Sequence, residues 1–205
     1  MAKKQLISRS PHFDLANFPV SETIKMLTCL LEKITKANDA LHRPPSSSWT
    51  CFHARSIPSI DVYSYLTRIL KYCPCANECF LSLLVYFDRM SQNRKDALRI
   101  DSLNIHRLII AGIMIASKFF SDVFFTNTRY AKVGGLPVKE LNQLELEFLR
   151  MNNYNINVSL QELQRYGNQL LMHSIREKEA EFKKESVLFD VVHTKQSKSM
   201  AYLCS

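Results

Sequence analysis

A chain of 205 residues with 46% hydrophobic content holds one substantial core and is short for two ordinary domains with linkers. Four glycines and seven prolines are too few to punctuate the many turns of an all-β fold, so helices are favoured from the outset. The formal charge of +8 suits nucleic acid, an acidic membrane surface or an acidic protein equally, yet the basic residues are scattered (Lys3, Lys4, Arg55, Arg68, Lys71, Arg94, Lys95, Arg99, Arg107, Lys132) and form no continuous basic and aromatic run, which argues against nucleic acid.

Residues 1–17 read as an irregular segment in which basic residues precede no apolar stretch, and nowhere does an apolar run reach the length of a membrane span. An intracellular protein of the nucleus or cytoplasm is expected, with six cysteines as reduced thiols. Val20, Ile24, Leu27, Leu31 and Ile34 then recur at helical spacing, with Ser21 available as an N-cap behind Pro19. His42 to Trp49, with two prolines and three serines, reads as an exposed linker. A second helix is expected to open near Pro58, carry Ile60, Tyr63, Leu66, Ile69 and Leu70, and close before Cys73 and Pro74. The third, from about Asn77 through CFLSLLVYFDRM, is apolar on most sides and must be central to a bundle.

The segment ALRIDSLNIHRLIIAGIMIASKFFSD is long enough that a buried helix is favoured over a strand. Gly134 and Gly135 suit a helix C-terminus and turn, and Pro137 suits the opening of the helix that places Leu141, Leu144 and Phe148 on one face. Asn152 to Asn155 breaks that helix, and another follows from about Ser159 through Leu160, Leu163, Tyr166 and Leu170. From Arg176 the chain is highly charged and then loses any clear period, so a partly ordered extension over 176–205 is expected. The reading is all-α: five core helices with one more at each end.

No arrangement of catalytic groups stands out. There is no phosphate-cradling glycine loop, and His106-Arg107 is followed by Leu108 where the kinase triplet requires Asp. Cys73, Cys75 and Cys79 are the best metal candidates, but C-P-C-x3-C lacks zinc-site geometry and no second ligand pair follows, so core or helix-start thiols are the preferred reading. No catalytic residue, metal, cofactor, membrane or small-molecule substrate is expected.

The stretch RILKYCPCANECFLSLLVYFDRM, followed by IHRLIIAGIMIASKF and RYAKVGGLPVKELNQLELEFL, resembles the P/U-type cyclins, the group of the yeast phosphate-pathway cyclin and the plant U cyclins. LLEKITKAND resembles that family's entry segment, so the resemblance covers about residues 18–172. It implies a single cyclin box, five helices around a central third, spanning 18–175 with its entry helix. It also implies a regulatory subunit that docks on the αC helix of a cyclin-dependent Ser/Thr kinase, where αC supplies the Glu of the Lys–Glu ion pair.

Lys118 and Glu145 match the Lys and Glu that cyclins use at the kinase contact. A lysine ending so apolar a helix is costly to desolvate alone, and Glu145 beside buried leucines is its natural partner; on spacing alone, a pair that merely ties two helices together is an equally good reading. By the same resemblance Phe119 and Leu149 supply apolar contacts to the kinase, and Tyr154 and Ile156 fall where cyclins place further apolar residues. Asp88 and Arg89 match a family signature at the end of a buried helix and are expected to be structural. Ser59 and Tyr65 stand where cell-cycle cyclins have Arg and Trp, which speaks against a groove for Arg-x-Leu peptides. The competing function is a cyclin-fold adaptor that binds a transcription factor or nucleic acid without activating a kinase.

Overall fold

In the computed structural model residues 11–41, 49–92 and 98–201 are described, with side chains through residue 183. Regular structure among them is entirely helical: α1 (Val20–Ala40), α2 (Val62–Tyr72), α3 (Asn77–Ser91), α4 (Ile105–Phe120), α5 (Asn127–Gly134), α6 (Val138–Met151) and α7 (Leu160–Ala201). The linker expected at His42 to Ser48 and the basic residues Lys3, Lys4, Arg94 and Lys95 lie outside the described residues.

The two most apolar segments make the centre. Eleven residues of α3 are buried, and eleven of α4, so neither helix has a polar face wide enough for a surface position. α4 packs on α2, α3, α5 and α6, the position of a box's central third helix, while α1 and α7 pack on each other and on α3. Gly112 sets the closeness of this packing: a Cβ there would lie 2.4 Å from Leu83 and 2.9 Å from Phe148. Its missing side chain lets α3 and α6 approach the backbone of α4.

Helix boundaries follow local chemistry. Asp61 caps α2 through the Ser64 amide at 2.8 Å, so that helix starts at Val62, after Pro58. Asp101 and Asn104 fold residues 101–104 into a turn closed by side-chain bonds to backbone amides, which delays α4 until Ile105. Pro19 occupies the N-cap of α1, and Ser21 lies inside the helix instead of capping it. Gly135, at φ +70°, ends α5 in the left-handed conformation.

Phe13 lies in the irregular entry segment yet is fully buried, stacked on Phe18 at 4.4 Å. Its amide donates to Asn168 at 2.8 Å and its carbonyl accepts from Gln164 at 2.6 Å, which fastens this segment to α7. Gly167 accommodates the Phe13 ring, since a Cβ there would come within 2.8 Å of it. Residues beyond Arg176 continue α7 to Ala201 without a break at the expected start of the extension. Glu and Lys, frequent over residues 176–185, are good helix formers and favour continuation of the helix beyond its packed part.

Candidate functional site

Lys118 is in the last turn of α4, where its charge complements the helix C-terminus. Its ammonium donates to Glu145 Oε1 at 2.6 Å, across from α4 to α6. The other carboxylate oxygen accepts from Asn127 Nδ2 at 2.8 Å, in the first turn of α5, and the same amide donates to Asn142 at 2.8 Å. Glu145 thereby joins the end of α4 to the start of α5, the helix polarity expected to favour a carboxylate in that position. The side chains of Lys118 and Glu145 are 28% and 19% exposed. Burial is deep enough to strengthen the attraction, and open enough to leave remaining N–H bonds of Lys118 within reach of a partner.

Apolar side chains surround these elements on the exterior. Phe119, directly after the lysine, is exposed and meets Phe120 edge-on at 4.9 Å. The α4–α5 link presents Val123 and Phe124, and α6 presents Leu146, which is 65% exposed beside Glu145. Leu149, one turn further along α6, is partly buried against the core.

The α6–α7 link carries the other two sequence-derived residues. Asn153 and Tyr154 both have positive φ, at 52° and 55°, a conformation sparsely populated by residues other than glycine. Tyr154 points outward with 69% of its surface exposed, whereas Ile156 packs partly on the core. Arg89, from the end of α3, clamps this link by donating to the carbonyls of Asn155 at 2.8 Å and Asn157 at 3.1 Å and to Glu162 at 3.0 Å. Asp88 beside it accepts from Tyr166 of α7 at 2.6 Å. Tyr86 donates to the Ile156 carbonyl at 2.8 Å, and burial pushes its phenol up to about 12, so it stays a donor.

The structure therefore brings Lys118 and Glu145 together, sets Phe119 and Leu149 on the same two helices, and places Tyr154 and Ile156 on a separate, clamped link. Sequence reasoning missed Asn127, Asn142, Val123, Phe124 and Leu146. Leu146 had a signal, because it falls off the 141, 144, 148 face of an otherwise regular amphipathic helix; the Val-Phe-Phe run in a short link was another. Cys73 and Cys79 are buried and Cys75 partly so; a hydrogen bond to Cys79 and then burial drive the Cys75 thiol far above its ordinary range. Tyr65 is buried, with its hydroxyl donating to the Gly134 carbonyl at 3.3 Å and its ring edge-on to His106 at 5.0 Å.

The profile of the family described as Cyclin matches residues 21–156, from α1 through the clamped link. The chain is 46% identical over 172 residues to the PHO85 cyclin-like protein psl1 of Schizosaccharomyces pombe, covering 78% of this chain and 71% of that one. It is 43% identical over 178 residues to PHO85 cyclin-7 of Saccharomyces cerevisiae, covering 77% of this chain and 62% of the other, so it spans less than two thirds of that relative. Cyclin-U4-1 of Arabidopsis thaliana is 40% identical over 142 residues, covering 68% of this chain and 70% of its own. No helix among the described residues is long and apolar enough to cross a membrane. With an all-helical box centred on α4, a family match across two thirds of its length and relatives of both the P and U groups, this chain belongs to the cyclins, as a member of the P/U type.

Proposed function

We propose that this cyclin is the non-catalytic regulatory subunit of a cyclin-dependent Ser/Thr protein kinase, and that it activates the kinase by docking on its αC helix. The observation that carries the reading is the half-buried Lys118–Glu145 pair at the junction of α4, α5 and α6, flanked by exposed apolar side chains on the same elements. An αC helix packed there loses water from backbone groups near its end. Lys118 offers further N–H bonds to orphaned carbonyls, and Glu145 lies beside it to accept from amides, so the pair replaces the lost solvent while Phe119, Phe124, Leu146 and Leu149 supply apolar contact. Tyr154 and Ile156, on a link held in place by Arg89 and Tyr86, extend the contact surface. Asp88 and Arg89 position that link and touch no kinase atom. One relative is named a PHO85 cyclin-like protein and another PHO85 cyclin-7, and we assign this chain a cyclin-dependent kinase as partner.

Co-purification with each cyclin-dependent kinase of the source organism, followed by phosphate transfer to a Ser/Thr-Pro substrate, tests the proposal. A stable active complex that is lost in Lys118→Ala and Glu145→Ala, with helical content retained, supports it. A well-folded chain that forms no kinase complex, or one that binds a duplex oligonucleotide with steep salt dependence, favours an adaptor instead.

A further inference from the structure

A concave surface lies between α2 and α5, a groove of about 880 Å³. Arg68 and Lys71 face it from α2, and Arg129 and Lys132 from α5, so each helix contributes two cations three residues apart. All four side chains are exposed, and among the described residues no acidic one lines the groove. Among the described residues none of the four takes part in an ion pair with a carboxylate, although the rest of the surface pairs Lys25, Lys33, Arg89, Arg107, Lys118 and Arg150 with acids. Asp61 bonds the lining residue Ser64, but its two oxygens are occupied in capping α2.

The arginines are also held in place. Arg129 donates through Nε to the Tyr72 carbonyl at 2.8 Å and stacks on Phe125 at 4.0 Å, and Arg68 donates to the Lys132 carbonyl at 3.4 Å. Each bond uses a carbonyl at or near a helix C-terminus and leaves other guanidinium N–H groups for a ligand. Four like charges gathered without a counter-charge repel one another, and a compact multivalent anion relieves that repulsion most effectively. A phosphate dianion has the charge and the acceptor geometry for the two arginine forks, and the hydroxyl of Thr67 adds a neutral donor. The exposed rings of Tyr63 and Tyr72 on the walls give the chain on either side of the phosphate an apolar footing, which suits a peptide better than a free ion.

We propose that the α2–α5 groove binds a phosphoserine or phosphothreonine segment, and that its source is an already phosphorylated substrate of the associated kinase. The groove then raises the local concentration of a substrate for its next phosphorylation. The substrate assignment rests on the kinase reading above; the phosphopeptide site does not, and the test separates them.

The chain without kinase is titrated against a fluorescein-labelled peptide carrying one phosphoserine in a Ser-Pro context, and against the same peptide unphosphorylated. The phosphopeptide is expected to bind about ten-fold tighter or more, with inorganic phosphate competing and salt weakening it. Lys71→Ala combined with Lys132→Ala is expected to remove that preference, since neither side chain makes an ion pair that the fold needs, while Lys139→Ala, at an exposed position of α6 outside the groove, leaves it intact. Equal binding of the two peptides, an unaltered preference in the double variant, or tighter binding of a single-stranded oligonucleotide or of anionic lipid vesicles than of the phosphopeptide overturns the site. In the reconstituted complex, a primed substrate is expected to be phosphorylated at lower KM than an unprimed one, and the double variant to abolish only that difference. Phosphopeptide binding in a chain that forms no kinase complex leaves the site standing and removes the substrate assignment.

Discussion

Replacing Arg89 by alanine removes three bonds at once, to the carbonyls of Asn155 and Asn157 and to Glu162. A hydrogen bond involving a charged group contributes about 1.5–3 kcal/mol net to stability, and because this side chain is 24% exposed, water can replace part of what is lost. Because two of the bonds also share one nitrogen, their sum overstates the loss, and a total of about 2–3 kcal/mol is expected. For a chain of this size that lowers the melting temperature by roughly 4–12 °C. The damage should be local: Asn153, Tyr154 and Asn155 donate their amides to Arg150, Leu149 and Asn152, and these bonds hold the left-handed turn together. Hydrogen exchange measured by mass spectrometry should show faster exchange in a peptide over residues 152–158 and little change in α4. Arg89→Lys should rescue only in part, since an ammonium cannot span both carbonyls as the planar fork does. A melting temperature within about 1 °C of wild type, together with unchanged exchange in the link, would refute the clamp.

Gly112→Ala forces a methyl group against Leu83 and Phe148, both fully buried, and is expected to cost about 1–3 kcal/mol in a urea titration despite alanine's better helix propensity; an unchanged midpoint would mean that α3, α4 and α6 are not so closely packed. His106 Nε2 lies 2.8 Å from the Ile60 carbonyl oxygen, and since a carbonyl only accepts, Nε2 carries the proton and donates it; burial depresses the imidazole's pKa below its ordinary value. The unfolded chain takes up a proton below about pH 6.5 and the folded one does so only at lower pH, so stability should fall as pH drops through about 6.5 and below. His106→Gln should flatten part of that fall, and a wild-type midpoint that rises on acidification would contradict the sign.

The long apolar segments were readable because burial on most sides leaves a dense signal: α3 and α6 begin at the residues their patterns suggest, Asn77 and Val138. Starts governed by one polar side chain were not. Asp61 delays α2, and Asp101 with Asn104 delays α4, although Leu98 and Ile100 ahead of that turn are buried and extend the apolar run. Phe13 could not be placed from sequence, since a lone aromatic in an irregular segment has no period, and its partners Gln164 and Asn168 lie at the other end of the chain. In the site, residue chemistry suggested the Lys118–Glu145 pair, and family resemblance suggested its role. Asn127 and Asn142, which complete the pair's polar network, were hidden because neutral amides on exposed helix faces look like ordinary surface.

The most direct test exchanges the charges of the pair. Lys118→Glu combined with Glu145→Lys keeps one cation and one anion across α4 and α6, so the melt of the double variant should recover most of what each single substitution loses. The proposed docking needs the ammonium and the carboxylate in their original places, so activity of the reconstituted kinase complex should stay lost in the double variant. Full recovery of both stability and kinase activation would contradict the account, because it would show that the pair only ties the two helices together.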